Sequence, residues 1–413
     1  MSRCLKSGGR PRSVACLVMR SVLSRYPSSA FQAAILEENG FQVVVCDIDD
    51  GGYDTKLIPS GAERRVLERV SDLFAGNRAS SLKKILGRQR FRSRLKAVLD
   101  ELRPHLVISY DPPAFATMTR IIKSGRVPKF MHIWHCHELA EISDDMGWGT
   151  RRDLLRTKAA ADLADLAVIP DRERAAAYFS EYAFKEPPYI VMNCPRRLDK
   201  PPASTIAELL KGTSAPYEET QTVLYLGSVG EGHGLESAVA GMKYWPRESC
   251  FVIVGPYPEA YRAKLLALAK SVGVQDRVIL TGPVDAGQAW GIRVGATIAL
   301  TLMDITHPVY RYCAGASNKR FEAMAAGVAQ VTNEGPGIDE IFVQPGVALA
   351  VPYDDPDAMG RAVASLLGNP QQRHAMARRA RSLHLEKYHY ELEFKPVLAR
   401  IMDFVQSKAP GGC

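Results

Sequence analysis

Short apolar runs of strand length alternate with helical patterns along the whole chain, and this restricts its fold more than any other feature. Such alternation reads as parallel sheets covered by helices, an α/β class. In the first half strands are expected at 14–18, 42–46, 106–109, 130–134, 166–169 and 189–192. Helices fall between them, at 29–39 closed by Gly40 and at 80–102 closed by Pro104. Residues 51–78 have no clear period and read as a long excursion beside a site. A second series follows, with strands at 223–226, 251–254, 278–280, 297–302 and 329–332, and a terminal helix at 384–405.

The text at 193–205, with three prolines and no apolar period, separates the two series. The expected domains are residues 1–195 and 206–385, joined by a linker at 196–205. A C-terminal helix and tail, 386–413, is expected to pack back on the first domain. Two domains also suit 413 residues. No apolar run approaches membrane-spanning length, and the basic N-terminus precedes too short an apolar stretch for a signal peptide. A cytoplasmic location is expected. The eight cysteines include no C-x-x-C pair and several lie in apolar runs, which reads as reduced, buried thiols. A net charge of +8 on a chain this long does not imply nucleic-acid binding.

Two segments carry most of the chemistry. After the strand ending at Leu226 comes Gly227-Ser-Val-Gly-Glu-Gly-His-Gly234. Its four glycines let backbone N–H groups approach an anion closely, and the same spacing also suits a bare tight turn. It is neither the dinucleotide fingerprint nor a P-loop. The second segment runs from Ser317 to Gly327. Ser317 suits an N-cap and Gly327 a C-terminal stop, while Asn318, Lys319 and Glu322 share one helix face. That face fits a phosphorylated polyol, with phosphate at the helix start and Lys319, and vicinal hydroxyls on Glu322. A solvated Lys–Glu pair on a surface helix is the alternative.

In the first domain, His135 and His137 share a strand face from which His132 points away, and they suit a cleft histidine pair, a structural role or a metal site. Asp111 follows a strand at a ligand-binding edge or serves as a helix N-cap. Between Arg78 and Lys96 lie eight Lys/Arg and no acid, with Leu82, Ile85, Leu86, Leu95, Val98 and Leu99 as an apolar face. Such a helix either lies on an anionic membrane surface or packs on its own sheet with a solvated basic side.

The run SNKRFEAMAAGVAQVTNEGPGIDEI (317–341) resembles the donor-site segment of family 4 glycosyltransferases, which are retaining enzymes of GT-B fold. VLYLGSVGEGHGLESAV (223–239), FVIVGPYPE (251–259) and RVILTGPV (277–284) follow in that family's order. So do RPHLVISYDPP, HIWHCHEL and VIPDRERAAAYF…VMNCP in the first half. The resemblance implies two Rossmann-like domains facing across a cleft. It implies transfer from a nucleotide-diphosphate sugar to a glycan or lipid-linked acceptor in surface-polysaccharide synthesis, with no cofactor, metal or nucleic acid. Glu322 would bind the ribose. Ser317, Asn318 and Lys319 would face the diphosphate opposite Gly227, Ser228, Gly230, His233 and Gly234, while Gly282 and Val284 would hold the base. His137 would stand by the transferred sugar, with Asp111, His135 and Glu138 on the acceptor side.

The chain departs from the pattern at three positions. Ala314 replaces the family's first glutamate, Ser228 its usual arginine and His233 its usual lysine. Lys319, Arg320, Arg311 and a protonated His233 are the available substitute cations, with Lys319 and Arg320 expected in the catalytic role. The rival readings are a degenerate nucleotide or glycan binder and a sugar-nucleotide epimerase or hydrolase.

Overall fold

The computed structural model describes residues 13–72, 81–125, 127–138, 146–211 and 220–408. The chain divides into two compact units. One comprises the residues up to Pro170, Ala175–Val191 and the chain from Glu393. The other comprises Asp171–Arg174 and Met192–Leu392. The long stretch of the second unit starts at Met192, so the proline-rich text expected as a linker at 196–205 lies within it.

The first unit is built on β1 (Val14–Met19), β2 (Gln42–Asp49), β3 (Glu63–Arg69), β4 (Leu106–Tyr110), β5 (Met131–His135), β6 (Leu166–Ile169) and β7 (Tyr189–Ile190). Its helices are α1 (Pro27–Glu38), α2 (Ser81–Leu102), α3 (Asp111–Lys123), α4 (Trp148–Lys158) and, from Ala175 onward, α5 (Arg172–Glu181). The strands form one parallel sheet in the order β3-β2-β1-β4-β5-β6-β7. Central strands such as β1 and β4 are buried on both faces, hence their unbroken apolar text. Phe91, Leu95, Val98 and Leu99 of α2 pack on Cys16, Val18, Val44 and Cys46.

The second unit contains β8 (Gln221–Leu226), β9 (Ser249–Val254), β10 (Val278–Gly282), β11 (Ile298–Leu300), β12 (Ala329–Asn333) and β13 (Ala348–Val351). Its helices are α6 (Ile206–Leu210), α7 (Leu235–Gly241), α8 (Glu259–Ser271), α9 (Ala286–Val294), α10 (Asn318–Ala326), α11 (Pro356–Gly368) and α12 (Pro370–Glu386). The last helix, α13 (Tyr390–Lys408), belongs to the first unit from Glu393 onward. The sheet is again parallel, in the order β10-β9-β8-β11-β12-β13. Strand order reverses at β1/β4 in one unit and at β8/β11 in the other, and ligands of open α/β sheets bind at such switch points.

Three elements differ from the sequence reading. The excursion at 51–78 contains β3, an edge strand of sequence ERRVLER whose charges hide the strand signal. Strand β13 was not expected, because ALAV is short and alanine-rich. The terminal helix is two helices, α12 and α13, which break where buried His384 Nδ1 meets the Tyr388 carbonyl at 2.8 Å. The six cysteines among the described residues are buried and unbridged. No helix of the described residues is long and apolar enough to cross a membrane.

Candidate functional site

In the second unit the strand ends are stitched together by glycines. The Gly227 N–H donates to the Val254 carbonyl at 2.9 Å, and the Gly255 N–H donates to the Gly282 carbonyl at 2.9 Å. A Cβ at Gly255 would run into the Gly227 carbonyl, so the three turns close only with hydrogen there. Gly227, at φ 154°, lies directly over the Lys319 side chain, whose Cε would be struck by any Cβ at that position. Lys319 Nζ sits 5.0 Å from the centre of the Tyr225 ring. Crowding by protein lowers its pKa to about 8, with Arg320 adding to the effect.

Helix α10 begins beside this turn. Ser317 occupies its N-cap position without making a cap hydrogen bond; its Oγ is buried and unpartnered. Asn318 is the first helical residue, and Gly327 ends the helix in the left-handed conformation at φ 70°. Glu322, one turn on from Lys319, accepts a 2.6 Å hydrogen bond at Oε2 from Arg293, which lies over Trp290. The loop before α10 is pinned by Asn193, which donates its main-chain N–H to the Gly315 carbonyl at 2.9 Å and Nδ2 to Ala316 at 2.8 Å.

Two of the expected cations are not available to a ligand. Arg320 is fully buried, donating to the Cys313 carbonyl, Thr332 Oγ1 and Asn333 Oδ1 at 2.7–2.9 Å. It ties α10 to β12 and does not face a departing group, so its expected catalytic role is corrected. His233 is buried between Tyr225 and Tyr310, and burial followed by Lys319 lowers its pKa to about 3. It is therefore neutral at pH 7 and not the protonated substitute expected. Ser228 is exposed, and Gly230 is half-buried. Gly234 donates its N–H to Tyr353 Oη at 3.2 Å. Val284 is half-buried against the apolar cluster that includes Val252 and Ile279. Ala314 lies in the apolar cluster of Phe321 and Met324, and Arg311 is exposed.

The first unit holds a separate histidine cluster. Asp111 starts α3 in the left-handed region at φ 57°, a strained position for a residue with a Cβ. The strain aims its Oδ1 at the main-chain N–H groups of His137, 2.7 Å away, and Glu138, 3.3 Å away. Its Oδ2 lies 3.4 Å from His137 Nδ1, while His137 Nε2 lies 3.1 Å from Ser29 Oγ. Tyr110 Oη donates to Gln32 Oε1 at 2.6 Å, leaving Gln32 Nε2 to donate to His135 Nδ1 at 2.9 Å. Burial holds the His135 pKa far below its usual value, with His137 4.3 Å away ring to ring. His132 points to the other side, bonded to Ser109 and stacked on Phe115, with a pKa near 4 from burial. Among the described residues no group of three His, Cys, Asp or Glu side chains is placed to hold a metal ion. Beside the cluster a cavity of about 240 Å³ is lined by Arg20, Tyr26, Tyr110, Asp111, Glu138 and Leu154, among others. Ser29, Gln32, Tyr26 and Arg293 carry no sequence signal, because their roles arise only when distant elements meet.

Two parallel-sheet α/β units, each with its polar cluster at a strand-order reversal, define the GT-B class of fold. Solved structures of that class match nearly the whole chain. Sucrose-phosphate synthase from Thermosynechococcus elongatus is 16% identical, with a TM-score of 0.73 over 96% of this chain and 100% of its own. HepE from Anabaena, solved with UDP, is 14% identical, with a TM-score of 0.72 over 94% and 99%. A glycosyltransferase from Rickettsia africae is 11% identical, with a TM-score of 0.74 over 97% and 100%. Residues 237–399 match the model of a family described as glycosyl transferase-like. No curated protein matches the chain.

Proposed function

We propose that the protein transfers a hexose from a nucleotide-diphosphate sugar to a glycan or lipid-linked acceptor, with retention and without a metal. The observation that carries this reading is the open backbone of Gly227 over Lys319, beside the N-terminus of α10 and the unpartnered Ser317 hydroxyl. The glycosyl transferase-like match covers these α10 residues, and a fold relative was solved with UDP.

In this mechanism Glu322, oriented by Arg293, holds the ribose hydroxyls. Diphosphate charge develops as the glycosidic bond breaks, and Lys319 with the α10 N-terminus counters it. Asp111 and Ser29 fix the His137 ring, which orients the sugar or acceptor. The work would take place on the cytoplasmic side, in surface-polysaccharide synthesis.

The test is thermal unfolding with UDP, GDP, ADP and their sugar conjugates. A ligand at 100 times its Kd adds about 2.7 kcal/mol. Stabilisation by one nucleotide series, lost in Glu322→Ala, is the expected result, and acceptor-dependent release of the nucleotide completes it. A second reading, a non-catalytic nucleotide or glycan binder, is favoured by neutral His233 and buried Ala314. Binding without turnover of any sugar conjugate would select it.

A further inference from the structure

In the first unit α4 packs on α3, and a side chain of α2 reaches across to it. Arg88 of α2 bridges Asp153 of α4 at 3.2 Å and donates to the Gly149 carbonyl at 3.1 Å. Between them lies an open groove of about 290 Å³ lined by Ile85, Arg88, Trp148 and Arg152, among others. The two helices carry four exposed large apolar side chains, of which Ile85 and Trp148 line the groove. Trp148 is 67% exposed, Leu155 51%, Ile85 41% and Leu86 40%. Trp148 and Leu155 are two turns apart on one face of α4. Arg152, between them, holds its guanidinium 4.3 Å from the centre of the Trp148 ring. The apolar face expected for α2 therefore splits. Leu95, Val98 and Leu99, with Phe91, are buried on the sheet, whereas Ile85 and Leu86 face outward; the side chain of Leu82 lies outside the described residues.

Charge concentrates on the same two helices. Helix α2 has seven Lys/Arg against two acids, and α4 has four against one, leaving +5 and +3. The whole chain carries +8, so its entire excess lies on these two adjoining helices and the remainder is neutral. Apolar side chains standing among cations, one of them a tryptophan, match the boundary between lipid headgroups and acyl chains. A bilayer surface with anionic headgroups satisfies both halves of the pattern. A second copy of the chain would bring like charge against like charge, and a phosphodiester backbone would leave Ile85, Leu86 and Leu155 uncovered.

We infer that the α2–α4 face of the first unit docks on an anionic phospholipid surface, inserting Trp148 and its aliphatic neighbours at headgroup depth. This rests on the surface alone and does not require the transfer reading. The experiment is co-sedimentation with vesicles of phosphatidylcholine, with and without phosphatidylglycerol, followed also by tryptophan emission. Of the four tryptophans Trp148 is the exposed one, so its emission should shift to the blue on binding, and the shift should vanish in Trp148→Phe. Wild type should sediment only with anionic vesicles and release in high salt. Trp148→Ala/Leu155→Ser and Arg90→Glu/Arg151→Glu should each weaken binding at least tenfold, with unfolding temperature and any nucleotide-induced shift unchanged. Absence of sedimentation, equal binding to neutral vesicles, or variants that bind like wild type would overturn the inference. So would concentration-dependent dimerisation, or capture of polyglutamate or DNA, without vesicle binding.

Discussion

Lys319 runs directly beneath Gly227, so a single hydrogen atom on the turn leaves room for the one cation of the α10 start that is not buried away. Gly227→Ala would force either the turn or the lysine to move, at a φ of 154° that an L side chain rarely adopts. The expected outcome is a loss of diphosphate-nucleotide affinity of about tenfold or more, the size of one charge-assisted hydrogen bond. Isothermal titration checks it, and unchanged affinity would separate the turn from any anion site.

Lys319 and Arg320 are neighbours in sequence with opposite fates. Lys319→Met should leave the fold intact and weaken nucleotide binding. Arg320→Met should do the reverse, stranding Asn333, Thr332 and the Cys313 carbonyl in the core. Leaving such groups unsatisfied costs roughly 1–3 kcal/mol each. Chemical denaturation of both variants, read beside nucleotide titrations, distinguishes the two roles.

The low pKa of Lys319 gives nucleotide binding a pH signature. With its pKa near 8, the ammonium is present at pH 7 and lost as the pH rises through about 8. Affinity for a nucleoside diphosphate should therefore fall on the alkaline side, and the fall should disappear in Lys319→Met. A flat profile in wild type between pH 7 and 9.5 would remove Lys319 from the phosphate's surroundings.

Histidine burial sets the acid limit of stability. His132 and His384 have pKa values near 4, and His233 near 3, each depressed chiefly by burial. Unfolded histidine takes a proton near 6.5, so the unfolded chain binds more protons than the folded one below that pH. The stabilisation is complete above about 6.5 and is lost as the pH falls toward 4. When their shifts are fully expressed, His132 and His384 each contribute on the order of 3 kcal/mol and His233 on the order of 5 kcal/mol. Urea midpoints should decline steeply from pH 6.5 to 4, and His384→Gln should flatten part of that decline.

Much of the architecture was legible because central parallel strands are buried on both sides and write themselves as apolar runs. Edge strands escape this rule: β3 is ERRVLER, and only its pairing with β2 reveals it. The candidate site divided similarly. Glycine spacing and the α10 face marked Gly227, Lys319 and Glu322, since chain-local geometry suffices there. The direction in which Arg320 points was not legible, because it depends on Thr332 and Asn333 of β12. Nor was the neutrality of His233, which follows from a shell of tyrosines gathered from distant segments.

Helix α13 starts in one unit and completes the other, with Phe394, Val397 and Ile401 buried. Synthesis from the N-terminus therefore imposes an order. The residues of the second unit up to Leu392 have all left the ribosome before the first unit can acquire its last helix. The unit made first is finished last, so a released chain truncated after Leu392 should carry a closed second unit and an unsealed first one.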